Sequence, residues 1–148
     1  MSKVADMKRC ADEFLSISHN SKTFIPNFVN IGFACELYLK LILQQATGKY
    51  RRTHDLECLY DKAVKHIDES DFLQILARKI QATFIEIKIV ISKDEARHKL
   101  EEMFDSHRTI FVDWRYYFDL PADERGVVDM TLPAFANALK EFTEQMHT

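Results

Sequence analysis

Four cationic or potentially cationic side chains fall within six residues: Lys49, Arg51, Arg52 and His54, in the run GKYRRTHDL. Guanidinium and ammonium groups make charge-assisted hydrogen bonds to phosphate oxygens, so this cluster can hold a phosphate. The same charges also suit the carbonyl end of a preceding helix, because the run follows a helix-stopping glycine, Gly48. It is not a P-loop, which needs several glycines followed by Lys-Ser or Lys-Thr. The dipeptide His54-Asp55 suggests a base with an orienting carboxylate. Neighbours along a helix do not face each other, however. The local alternative has Asp55 capping a helix, Leu56 anchoring it and His54 packing against a neighbour.

A second constellation lies further along. His107, Arg108, Phe111, Trp114, Arg115, Phe118 and Asp119 recur at spacings of three, four and seven, which places them on one broad side of a helix. Arg115 and Asp119 form an i,i+4 pair, and Trp114, Tyr116, Tyr117 and Phe118 surround the arginine. Aromatic rings with an arginine can stack a base. The alternative is a core seam in which Arg115 reaches Glu36, a carboxylate on an otherwise apolar helix that must find a donor. Glu36 is therefore expected within hydrogen-bond reach of Arg115 or Lys40. The six histidines form no HxxxH or HExxH spacing, and Cys10, Cys35 and Cys58 have no matched histidine. No metal site, no thiol nucleophile and no cofactor is expected.

The elements that must position these residues are helices. Only three Gly and three Pro interrupt 148 residues, too few for the turns of a sandwich or barrel. Ser2 can cap a helix to about Ser18. HNSKTFIPN reads as a loop, with Pro26 in the first turn of the next helix, which stops at Gly48. That second helix is apolar nearly all round, apart from a polar stripe of Glu36, Lys40 and Gln44, so it is central in the core or lies at an interface. Thr53 or Asp55 caps a short helix from Leu56 to about His66. Another helix begins at Glu69 and runs to about Ile91. Its end, FIEIKIVI, alternates like a strand, but a single strand has no partner here, so helix is preferred over 84–91. Ser92 to Glu95 form a capping box opening a long helix to about Phe118. Thr131 and Pro133 open a last amphipathic helix. The expected fold is all-α: one domain over 1–148, an antiparallel bundle of four main helices with a short helix and a C-terminal helix.

A net charge of −3 gives no global basic field for nonspecific nucleic-acid binding. Three scattered cysteines suggest buried thiols in a reducing cytoplasm rather than a disulfide frame. A charged N-terminus and the lack of a long uncharged apolar run predict neither export nor a membrane span.

The run ACELYLKLILQQATGKYRRTHDLECLYDKA resembles the HEPN domain (higher eukaryotes and prokaryotes nucleotide-binding). The matching residues are Glu36, Leu39 and Lys40, then Gly48, then His54-Asp55-Leu56 with Leu59, and more weakly WRYYFD around Arg115. The resemblance covers roughly residues 5–120 and implies a helical fold and a homodimer. Many members are metal-independent ribonucleases whose signature is an Arg and a His separated by four to six residues, two copies meeting across the dimer. From Arg115 those positions hold Leu120, Pro121 and Ala122. The resemblance thus implies a catalytically degenerate binding or regulatory module for nucleotide or RNA. Its setting would be bacterial defence or toxin–antitoxin pairing with a partner protein encoded nearby. The alternative is an endoribonuclease with a displaced site across a homodimer, using Arg115 with His54 or His107, and with Asp119 as a further candidate.

Overall fold

The computed structural model describes residues 2–20, 24–83, 90–110, 119, 121 and 129–146. These residues form six helices and no strand: α1 Lys3–Asn20, α2 Phe24–Thr47, α3 Leu56–Ala63, α4 Glu69–Thr83, α5 Lys93–His107 and α6 Thr131–Met146. The protein is an all-α bundle.

Local chemistry sets most boundaries. The Ser2 hydroxyl accepts from the Ala5 N–H at 3.1 Å and caps α1. Gly48 ends α2 with φ of 77°, a left-handed conformation that side-chain-bearing residues resist, while its N–H donates to the Gln44 carbonyl. Asp55 caps α3 by accepting from Cys58 N–H at 3.1 Å. Ser92 caps α5 by accepting from Glu95 N–H, also at 3.1 Å.

Three expectations need correction. The loop expected over HNSKTFIPN is largely helical, because α1 continues to Asn20 and α2 already starts at Phe24, with Pro26 still in its first turn. α4 ends at Thr83 and residues 90–92 are non-helical, so no single helix reaches Ile91; positions 84–89 lie outside the described residues. α5 stops at His107, and Arg108 with Thr109 forms a turn, so the continuous helix to Phe118 is broken. The Arg108 carbonyl is drawn off to accept from Leu56 N–H at 2.7 Å, which ties this turn to the start of α3.

α2 is the central element. α1 lies along it in the antiparallel sense: Lys3 meets Tyr50, Asp12 meets Tyr38, and Phe14 stacks on Phe33. α6 and α3 pack on α2 as well, and α4 packs against α5 and α6. The apolar surplus of α2 is therefore absorbed inside the chain: Ala34, Cys35, Tyr38, Leu39, Leu41 and Ile42 are buried. A second cluster joins α3 to α6. Tyr60, Phe72, Phe104, Phe135 and Phe142 pack edge to face or tilted with centroids 5.6–6.0 Å apart, geometry that aromatic quadrupoles favour. Burial, the neighbouring charge of Glu69 and a hydrogen bond to its carboxylate all push the Tyr60 hydroxyl pKa up.

Candidate anion-binding site

α2 and α3 both end at the same place on the surface. Beyond Thr47, the Gly48 turn releases Lys49, Tyr50 and Arg51 into an irregular connector. Beyond Ala63, Lys65 N–H donates to Lys62 O and His66 N–H to Ala63 O, closing the helix with a tight turn. Between these two ends lies a cleft of about 450 Å³ lined by Leu43, Thr47, Lys49, Tyr50, Arg51, Lys62, Lys65 and His66. Among the described residues, three lysines, an arginine and an imidazole line it, and no carboxylate does. Lys49, Arg51, Lys65 and His66 are exposed, Lys62 and Tyr50 half-buried. None of Lys49, Arg51, Lys62 and Lys65 enters an ion pair among the described residues. Arg51 does place Nη1 3.9 Å from the Cys58 sulfur. The carbonyl ends of two helices face this region, so the cations also offset two helix dipoles.

The sequence-level cluster is thereby divided. Lys49 and Arg51 face the cleft. Arg52 is exposed but does not line it, and neither does His54. Lys62, Lys65 and His66 were missed by sequence reasoning. Their signal was available as a second basic run, Lys62-x-x-Lys65-His66, whose i, i+3, i+4 spacing holds cations to one side of a helix end.

His54 belongs to a second polar group. Its Nδ1 lies 2.8 Å from Oε1 of Glu36, while Lys40 Nζ donates to Oε2 at 2.9 Å. Glu36 is 4% exposed, so both carboxylate oxygens are satisfied where an unpaired charge would be costly. Of the two partners expected for Glu36, Lys40 is in place, and His54 is a further one; Arg115 lies outside the described residues, as do Trp114, Tyr116, Tyr117 and Phe118. Lys40 Nζ also sits 5.6 Å from the centroid of the Tyr50 ring, and Lys3 Nζ 4.9 Å from it. The buried pair thus backs one wall of the cleft.

Asp55 does not orient His54. Its carboxylate accepts from Arg108 Nε, shared between Oδ1 at 3.2 Å and Oδ2 at 3.0 Å, and from Nη2 at 2.6 Å to Oδ2, while Arg108 Nη1 reaches Glu57 at 2.7 Å. Burial works against Asp55 ionisation, but Arg108 and the backbone N–H groups of Cys58 and Glu57 outweigh it and hold the carboxyl below its ordinary value. His107 accepts at Nε2 from Asp129 N–H at 2.9 Å, and Asp129 Oδ1 accepts from Thr131 N–H at 2.9 Å. This relay fixes the start of α6, so His107 has a structural task. Asp119 is exposed.

All three cysteines are free, but the expectation of buried thiols holds fully only for Cys35, whose burial pushes its pKa up; Cys58 is half-buried and Cys10 exposed. Cys10 lies on the outer face of α1, between Arg9 and the buried Ala11. No three His, Cys, Asp or Glu residues among those described could share a metal ion. No described helix is long and apolar enough to cross a membrane. No protein-family model matches the chain, and no curated protein or solved structure does either.

Proposed function

We propose that the chain is an HEPN-like helical binding module that takes a phosphorylated ligand, a nucleotide or RNA, through the cleft between the ends of α2 and α3. The observation that carries this reading is the convergence of Lys49, Arg51, Lys62, Lys65 and His66 on one cleft with no lining carboxylate among the described residues. Cations gathered at one place raise the local concentration of anions and supply charge-assisted hydrogen bonds. A homodimer, a partner protein encoded nearby, a bacterial defence or toxin–antitoxin setting and a cytoplasmic location belong to the same reading. Binding is tested by fluorescence anisotropy with labelled ATP and labelled single-stranded RNA. Lys49→Glu with Arg51→Glu should weaken the better ligand by at least about tenfold, the size expected for removing two charge-assisted contacts. Unchanged affinity in that variant would reject the cleft. Light scattering at high micromolar concentration tests the dimer, and a monomer there would count against it.

A second reading, a metal-independent endoribonuclease, is favoured by one contact. Glu36 orients His54 as a carboxylate orients a catalytic imidazole, and the side chain of His54 is half-exposed. Binding without cleavage remains the first reading because His54 does not line the cleft that would hold the phosphate. Incubation of the protein with single-stranded RNA in EDTA should give no products. Cleavage that persists in EDTA and disappears in His54→Ala or Arg115→Ala would establish the second reading instead.

A further inference from the structure

The wall of the cleft restricts which part of a ligand it can recognise. Lys49, Arg51, Lys62 and Lys65 are donors without any acceptor. No Asn, Gln, Asp, Glu or Ser lines the cleft among the described residues, so the exocyclic amino groups of a base meet no side-chain amide or carboxylate acceptor from them. Thr47 turns its hydroxyl to the backbone, 2.8 Å from both the Leu43 and Lys49 carbonyl oxygens. Tyr50 contributes the one phenol ring, and the ammonium groups of Lys3 and Lys40 already lie over that ring. Lys40 is held there by Glu36, itself buried. A stacked base would have to compete with these cations for the ring. The side chains of this wall are rich in donors and poor in acceptors, and are complementary to a ligand made only of acceptors.

Charge density narrows the class further. A triphosphate places all its anionic oxygens within one cleft of this size. A nucleic-acid strand spreads one charge per nucleotide along its length. We infer that the site takes a short linear chain of phosphates, as free tripolyphosphate or as the tail of a nucleoside triphosphate, and is indifferent to the base. This rests on the reading of the cleft as a phosphate site, and the experiment separates the failure of one from the failure of the other.

Isothermal titration of the whole chain is carried out at one ionic strength in EDTA. The ligands are sodium tripolyphosphate, ATP, CTP, AMP and a single-stranded RNA with a 5′-hydroxyl. Tripolyphosphate, ATP and CTP should bind within about threefold of one another, and AMP at least about tenfold more weakly, a gap of roughly 1.4 kcal/mol. Lys62→Glu with Lys65→Glu, checked for native helicity by circular dichroism, should lose all of this binding. Tripolyphosphate tighter than ATP would also support the inference and assign the site to the free chain. ATP bound far more tightly than both CTP and tripolyphosphate would overturn it, most directly if His66→Ala removed the preference by deleting a stacking ring. RNA bound more tightly than every triphosphate would overturn it while leaving the phosphate site standing. Absence of binding by all five ligands would overturn both.

Discussion

Glu36 shows how one residue links the core to the site. It sits 4% exposed on the central helix and divides its two oxygens between Lys40, 9% exposed, and His54 on the connector. Breaking a buried pair leaves an uncompensated charge, so Glu36→Ala should cost about 3–5 kcal/mol. Adding Lys40→Met should recover a large part of that loss, since the stranded ammonium is then gone. Urea denaturation of the two variants tests this, and a double variant less stable than Glu36→Ala would contradict it. Part of this pair is legible in the sequence. A lone carboxylate on an apolar helix demands a donor, and Lys40 stands one turn away. His54 is not legible as the second donor, because it is 18 residues distant and only the Gly48 turn brings it back over α2.

At the scale of elements, starts were easier to read than ends. Ser2, Asp55 and Ser92 announce their helices because an N-cap is a local side-chain chemistry. The end of α5 at His107 carries no Gly or Pro, and its turn is held instead by Arg108, whose carbonyl and guanidinium both bind the start of α3. Asp55 therefore caps α3 and holds this clip together. Its carboxyl is depressed in the folded chain, so its stabilisation is present above the ordinary carboxylate value of about 3.9 and is lost as pH falls through the lowered folded value. Asp55→Ala should cost about 1 kcal/mol at neutral pH for the cap. The gap between variant and parent should narrow steadily in acid, as followed by urea midpoints at several pH values; a constant gap would mean that ionisation of Asp55 is irrelevant. Gly32 marks a second junction. A Cβ there would stand 2.6 Å from Ile110 Cγ2, so α2 and the segment after α5 touch because this side chain is missing. Gly32→Ala gains up to about 1 kcal/mol of helix propensity but must displace a β-branched side chain, an overpacking cost of about 1–3 kcal/mol. Net destabilisation is expected, relieved by Ile110→Ala in the double variant, and a thermal melt in which Gly32→Ala is the more stable protein would refute it.

Across the whole molecule, charge is distributed against its own average. The chain carries −3, and the four lysine and arginine side chains of the cleft contribute +4 to that balance, leaving −7 on everything else. On the far side of α3, Glu57, Asp61, Glu69, Glu101 and Asp105 line another cleft, with Arg97 the only cation among the described residues there. The composition correctly excludes a general basic field, but an average cannot show that the ends of α2 and α3 gather cations from two separate stretches of chain. On the proposed reading, a polyanion meets a net-negative chain and is drawn to the cleft, where the cations act over a Debye length of about 8 Å at physiological salt. Binding of tripolyphosphate should therefore weaken steeply as potassium chloride is raised from low to physiological concentration. The logarithm of the association constant should fall linearly with the logarithm of salt, since each neutralised contact displaces counterions. Lys65→Ala should lower affinity and flatten that slope together, because one cation facing the anion is removed. Arg97→Ala, on the acidic side, should leave the slope intact. A slope unchanged by Lys65→Ala, or equally reduced by both substitutions, would mean that the anion is held by the general field of the surface and not by this cleft.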